Sequence, residues 1–141
     1  MTEMTEAEIR RFMGTGSKTG KLATVRADGR PHVVPIWFTF DEATGDAVFM
    51  TWHSSLKANN MRRDPRVSIC VDDETFPFAW ARLDGTASFG EEDRVHWATE
   101  TCRRYVGDAR AAEYGIRNGV PGEFVVRVKP TRLTGQKDIA G

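Results

Sequence analysis

The segment from Pro31 to Phe40 constrains the fold more than any other, because it is apolar on both faces of an extended strand. Side chains alternate along such a backbone, so His32, Val34, Ile36, Phe38 and Phe40 share one face and Val33, Pro35, Trp37 and Thr39 share the other. A sheet with one side in water shows a polar face, whereas a strand of this kind must be covered on both. A small barrel meets that requirement when its inside is core and its outer wall meets another subunit or a flat ligand. Pro35 cannot donate a ladder hydrogen bond, which predicts a bulge or an unpaired stretch there.

The flanking segments supply more strands. Leu22 to Val25 is strand-like, and Ala27-Asp28-Gly29-Arg30 carries the Asp-Gly hairpin signal leading into Pro31. Asp41 to Asp46 forms a turn, after which Ala47 to Trp52 pairs back. Further strands are expected over Arg66 to Val71, Phe78 to Ser88 and Phe124 to Val128, with an acidic loop at Asp72-Asp73-Glu74. Thr5-Glu6-Ala7-Glu8 is a capping-box pattern followed by Ile9, Phe12 and Met13, so residues 5–14 form a helix. Leu56 to Arg63 forms a second, halted at Asp64 before Pro65. Glu91 to Val106 reads as a helix with Val95, Ala98, Cys102, Tyr105 and Val106 on one side, and Asp108 to Asn118 as a further piece. The tail from Lys129 is polar and contains Pro130, so residues 133–141 are expected to be partly irregular. The expected architecture is mainly β: one domain over 1–141, a six-stranded antiparallel barrel with peripheral helices.

Charge narrows the function. Twenty basic and twenty acidic side chains cancel, which removes any global attraction to nucleic acid. The local excess of Lys57, Arg62, Arg63 and Arg66 over Asp64 suits a small anion better than a polymer. Cys70 and Cys102 are far apart and outside any CxxC pattern, and no stretch approaches membrane-spanning length, so the expected location is the cytoplasm, with no membrane partner.

The helix beginning near Leu56 is electrostatically odd. A helix N-terminus attracts acids, yet its first charged residue is Lys57. Free N–H groups, a Ser54 or Ser55 hydroxyl and an ammonium at the end of a strand make a phosphate-sized anion site, although serines that merely cap the helix explain the same residues. His53 lies beside this site, either as a further donor or as an exposed loop residue. No HExxH, GxSxG or metal-ligand spacing is present, and no metal is expected. Trp37, Trp52, Phe76, Phe78 and Trp80 exceed what so small a barrel can enclose, and those pointing outward need a partner surface or a planar ligand of the flavin type.

The run Lys57-Ala58-Asn59-Asn60-Met61-Arg62-Arg63-Asp64-Pro65-Arg66-Val67-Ser68, with Gly20 to Val25, Asp28 to His32 and Gly85-Thr86-Ala87, resembles the split β-barrel flavin/deazaflavin oxidoreductase superfamily that includes pyridoxamine 5′-phosphate oxidase. It looks most like the actinobacterial branch that uses the deazaflavin coenzyme F420. The resemblance covers about Glu6 to Arg132 and implies a homodimeric FMN-binding-like split barrel with cofactor sites at the subunit interface. It further implies that Lys57 and Asn60 bind the cofactor phosphate with Ser55 and Thr51 nearby, and that Met50 and Trp52 flank the ring. Phe76, Pro77, Phe78 and Ala79 border the ring, and Arg132 belongs to a motif through which the partner subunit approaches. Where related F420 enzymes often carry a second basic residue, this chain has Ser55. The implied activity is hydride transfer from reduced F420 to a small unsaturated or quinone-like molecule, with His32 as the candidate ionisable group near the substrate. FMN in the same architecture, or a non-catalytic module that binds a flavin, deazaflavin or haem-like ligand, are the alternatives.

Overall fold

Local chemistry sets most element boundaries. In the computed structural model, which describes residues 1–141, a strand β1 (Thr2–Glu3) precedes α1 (Glu6–Gly14). Thr5 accepts from the Glu8 backbone and Glu8 reaches back to the Thr5 backbone, the reciprocal cap that the sequence predicts. The hairpin β2 (Gly20–Val25) and β3 (Pro31–Ile36) follows, then β4 (Thr39–Phe40), β5 (Ala47–Trp52), α2 (Leu56–Arg63), β6 (Arg66–Asp73), β7 (Ala79–Gly90), α3 (Arg94–Val106), α4 (Asp108–Asn118) and β8 (Glu123–Lys137).

The strands form one antiparallel sheet in the order β3-β2-β6-β7-β8-β5-β4, with β1 beside the end of β8. All six strands of the expected barrel are present, and the two-residue β1 and β4 raise the number in the sheet to eight. The sheet's terminal strands β3 and β4 are consecutive in the chain, joined by Trp37-Phe38, so its two ends lie within about 11 Å of each other. That joint is what curls the sheet into a split barrel.

A cluster of 16 buried apolar side chains fills the inside. Leu22, Phe38, Phe49, Ile69, Leu83, Val126 and Val128 come from the strands, while Ile9 and Met13 enter from α1. Each such side chain contributes roughly 1.5–3 kcal/mol of transfer free energy.

Two expectations about prolines are corrected. The register between β2 and β3 runs without interruption through Lys21 and Pro35, so no bulge forms there. Arg26 N–H donates to the Arg30 carbonyl at the hairpin end. Because antiparallel positions alternate, the backbone groups of residues 31, 33 and 35 point away from β2, and the missing proline N–H leaves the ladder intact. The second correction concerns Pro130, which lies inside β8: the strand runs on past it to Lys137, and only residues 138–141 of the tail are irregular. Pro130 is accommodated by a register shift opposite Asp84 and Gly85, with Thr131 the extra residue. Gly85 permits the close approach, since a Cβ there would stand 2.4 Å from the Lys129 carbonyl oxygen.

Segment 31–40 also breaks at Trp37-Phe38 instead of running as one strand. Its inner residues Ile36 and Phe38 are core, whereas Val33 is 67% and Trp37 39% exposed, so the outer apolar face has no cover within one chain. Asp72 and Asp73 end β6 instead of forming a loop, and Val95, expected on the buried side of α3, is exposed because Ala98, Thr101 and Cys102 form that side.

The end of α3 is tied to the barrel by one arginine. Arg104 donates to the carbonyls of Gly16, Phe38 and Met13, and its guanidinium lies 4.8 Å from the Phe38 ring centroid. The neighbouring Tyr105 hydroxyl donates to Lys18 and accepts from the Phe38 N–H.

Candidate functional site

β5 ends where the barrel opens, and the alternation along it decides what it presents. Val48 and Phe49 are buried, Met50 is half-buried, Thr51 is 3% exposed and Trp52 is 45% exposed. The chain then turns through His53 and Ser54 into α2, whose N-cap is Ser55. The Ser55 hydroxyl accepts from the Ala58 N–H at 3.2 Å and pairs with the Thr51 hydroxyl at 3.0 Å. Of the two hydroxyl hydrogens, one lies between the oxygens and the other has no partner within the chain.

Met50, Thr51, Trp52 and Lys57 line one cleft of about 360 Å³. Pro35, Ile36 and Trp37 from β3 and its exit form another part of the wall, and Ala98, Thr101, Cys102 and Asn118 bring in α3 and α4. Glu123, the first residue of β8 and the register partner of Trp52, completes the lining. Lys57 and Glu123 are the charged residues of that wall. Burial pushes the Glu123 carboxyl up and the nearby Lys57 ammonium partly offsets it. Burial also raises the Cys102 thiol, which accepts a hydrogen bond from Asn118, so this cysteine is a poor nucleophile.

The two tryptophans are held differently. Trp37 stacks on Tyr105 with centroids 4.9 Å apart and planes 10° apart. Trp52 lies over Gly122, whose φ of +99° places any Cβ 2.5 Å from the indole. His53 packs beside Trp52 at 4.8 Å and donates its backbone N–H to Gly122.

The basic run 57–66 is mostly spent inside the chain. Arg62 lies 5.2 Å from the Phe124 ring centroid and bonds Asn59, Arg63 donates to the Val25 carbonyl and to Asn60, and Arg66 pairs with Asp64. The Arg66 guanidinium holds the Asp64 carboxyl at about 2. Lys57 alone of the four lines this cleft; Arg66 borders a separate groove between β2 and β7.

Other expected site residues lie elsewhere. Asn60, expected beside Lys57 on a phosphate, is 1% exposed; its amide donates to Thr24 at 3.0 Å and accepts from Arg63, so it joins α2 to β2. His32 is half-buried on β3 with Nδ1 enclosed and unpartnered, outside the cleft lining. Phe76, Pro77 and Phe78 lie in the turn from β6 to β7 and Ala79 opens β7; Phe76 is 69% exposed and meets Phe78 edge to face. Arg132 is exposed on β8 opposite Asp84. Within one chain neither group reaches the Lys57 cleft. The lining residues Thr101, Cys102, Asn118 and Glu123 went unmarked at the level of sequence, because α3 and α4 read as ordinary amphipathic helices.

Comparison with known proteins fits this arrangement. Residues 5–137 match the family described as pyridoxamine 5′-phosphate oxidase. Over 118 residues, 84% of this chain and 79% of the relative, the sequence is 30% identical to a biliverdin reductase of Mycobacterium tuberculosis that depends on reduced F420. It is 34% identical over 107 residues, 69% of this chain and 74% of the relative, to the 5a,11a-dehydrotetracycline/5a,11a-dehydrooxytetracycline reductase of Streptomyces rimosus. The crystal structure of a conserved hypothetical protein from Mycobacterium tuberculosis superposes with a TM-score of 0.80 at 29% identity, covering 98% of this chain and 89% of that one.

Proposed function

The chain belongs to the pyridoxamine 5′-phosphate oxidase family, and from that premise we propose that it is an F420-dependent reductase of a small unsaturated or quinone-like organic molecule. The observation that carries this reading is Lys57. It is the one cation of its run that lines the cleft at the start of α2, and the same wall holds Thr51, whose hydroxyl pairs with that of Ser55. A cleft of about 360 Å³ lies within the range of small-molecule sites, and Met50 and Trp52 offer flat apolar surface for a ring. The residues therefore fit a planar cofactor with an anionic tail.

In this reading Lys57 and the free hydroxyl hydrogen hold the phosphate, and Met50 and Trp52 flank the ring. Reduced F420, when bound, supplies a hydride to the acceptor. The chain's own work is to fix the tail, present one ring face and keep water from the contact. Members of this family are commonly dimers. The uncovered face of Val33, Pro35 and Trp37 adjoins the cleft, so a second copy covers it and closes the site, bringing its own Phe76 to Ala79 turn and Arg132. No helix of the chain is long and apolar enough to cross a membrane.

One titration tests the reading. Purified protein binds F420 more tightly than FMN, and Lys57→Ala weakens F420 by roughly 1–3 kcal/mol, the value of a charged hydrogen-bond partner. A yellow preparation that retains FMN and ignores F420 transfers the same site to the flavin.

A further inference from the structure

We propose that Glu123 makes the cleft select a singly charged phosphodiester tail over a doubly charged phosphomonoester. The proposal rests on the cofactor reading above and deepens it, because F420 carries a phosphodiester within its tail and FMN ends in a monoester. Lys57 and Glu123 line the same cleft, brought there by the start of α2 and the start of β8. Glu123 is half-buried and pairs in register with Trp52, the residue that leads into the α2 turn. The Lys57 field acts on its carboxyl.

At neutral pH one ammonium and one carboxylate leave the wall with no net charge. A phosphodiester carries a single negative charge, which the Lys57 ammonium and the spare hydroxyl hydrogen answer directly. A phosphomonoester carries between about −1.5 and −2, and its extra charge meets a carboxylate in the wall of an open cleft, a repulsion that is strongest at low salt and screened as salt rises. A neutral isostere at 123 turns the same wall into a net cation and removes that discrimination.

The test holds the ring constant and varies only the phosphate. Dissociation constants of riboflavin and FMN are measured by fluorescence titration for the unaltered protein and for Glu123→Gln, with F420 measured alongside. In the unaltered protein FMN binds no more tightly than riboflavin, and the difference between them stays flat as salt is added. In Glu123→Gln, FMN gains about tenfold over riboflavin, riboflavin itself is unchanged, and added salt erases most of the gain. F420 gains less than FMN.

If F420 binds but the ratio of FMN to riboflavin is the same in both proteins, Glu123 loses its role and the cofactor reading stands. If the unaltered protein already prefers FMN to riboflavin, with a steep loss on adding salt, its wall is net cationic and the proposal falls. If the unaltered protein binds none of the three, both readings fall together. Glu123 is the half-buried first residue of its strand, so the glutamine variant is expected to fold, and the salt series on the unaltered protein needs no variant at all.

Discussion

Arg104 and Lys57 are both cations at the edge of the barrel, and the fold treats them in opposite ways. Arg104 meets the carbonyls of Met13, Gly16 and Phe38 and the rings of Phe38 and Tyr105, so its contacts run to the chain itself. Lys57 faces a cavity with a carboxylate nearby and no ion pair to it within 4 Å. A half-buried charge bonded to three carbonyls of two other segments joins pieces of the structure. A charge with unused donors beside a cavity is what a binding site needs.

The largest effect that can sharpen this contrast is on stability. Arg104→Ala strips the Met13 and Gly16 carbonyls of this donor and leaves Phe38 only the Tyr105 hydroxyl, and is expected to cost about 2–4 kcal/mol in urea denaturation; a loss under about 1 kcal/mol breaks the contrast. Lys57→Ala is the converse, weakening F420 about ten- to hundredfold while leaving the denaturation midpoint within about 0.5 kcal/mol. Smaller again is Gly122→Ala, which must shift the Trp52 indole and strain a backbone at φ +99°. It costs about 1–2 kcal/mol, changes tryptophan fluorescence and weakens ring binding while sparing the phosphate.

Glu123→Gln should move stability least, and its sign is fixed by ionisation. Burial raises the carboxyl in the folded chain, so the folded form holds that proton more tightly than the unfolded form. The stability this contributes is complete below the ordinary glutamate range and is lost as pH rises through the elevated folded value. Glutamine has no such loss, so the variant melts slightly above the unaltered protein at neutral pH, and the gap closes in acid.

What the sequence discloses follows the range of the interaction involved. The cap at Thr5, the Asp-Gly hairpin, the α2 limits and the full length of α4 are decided by neighbours a few residues away, and all were readable. The continuation of β8 past Pro130 was not, because it depends on Gly85, far back on another strand. The site divides along the same line. Lys57 stood out through its charge at a helix start and Met50, Thr51 and Trp52 through the resemblance carried by the adjoining run, whereas Ala98, Thr101, Cys102, Asn118 and Glu123 reach the cleft through packing alone. Asn60 was assigned to the phosphate through the resemblance, and nothing local could disclose its partner Thr24, 36 positions away.

The edge strand β3 has one more consequence, for assembly. Its outward backbone positions are 31, 33 and 35, and prolines occupy two of them, leaving only the Val33 amide able to donate along that rim. A neighbouring molecule cannot extend the sheet there by adding a strand, so the aggregation route open to most bare edges is blocked. Association through this region must proceed by side chains meeting face to face, on the surface where Trp37 stands exposed.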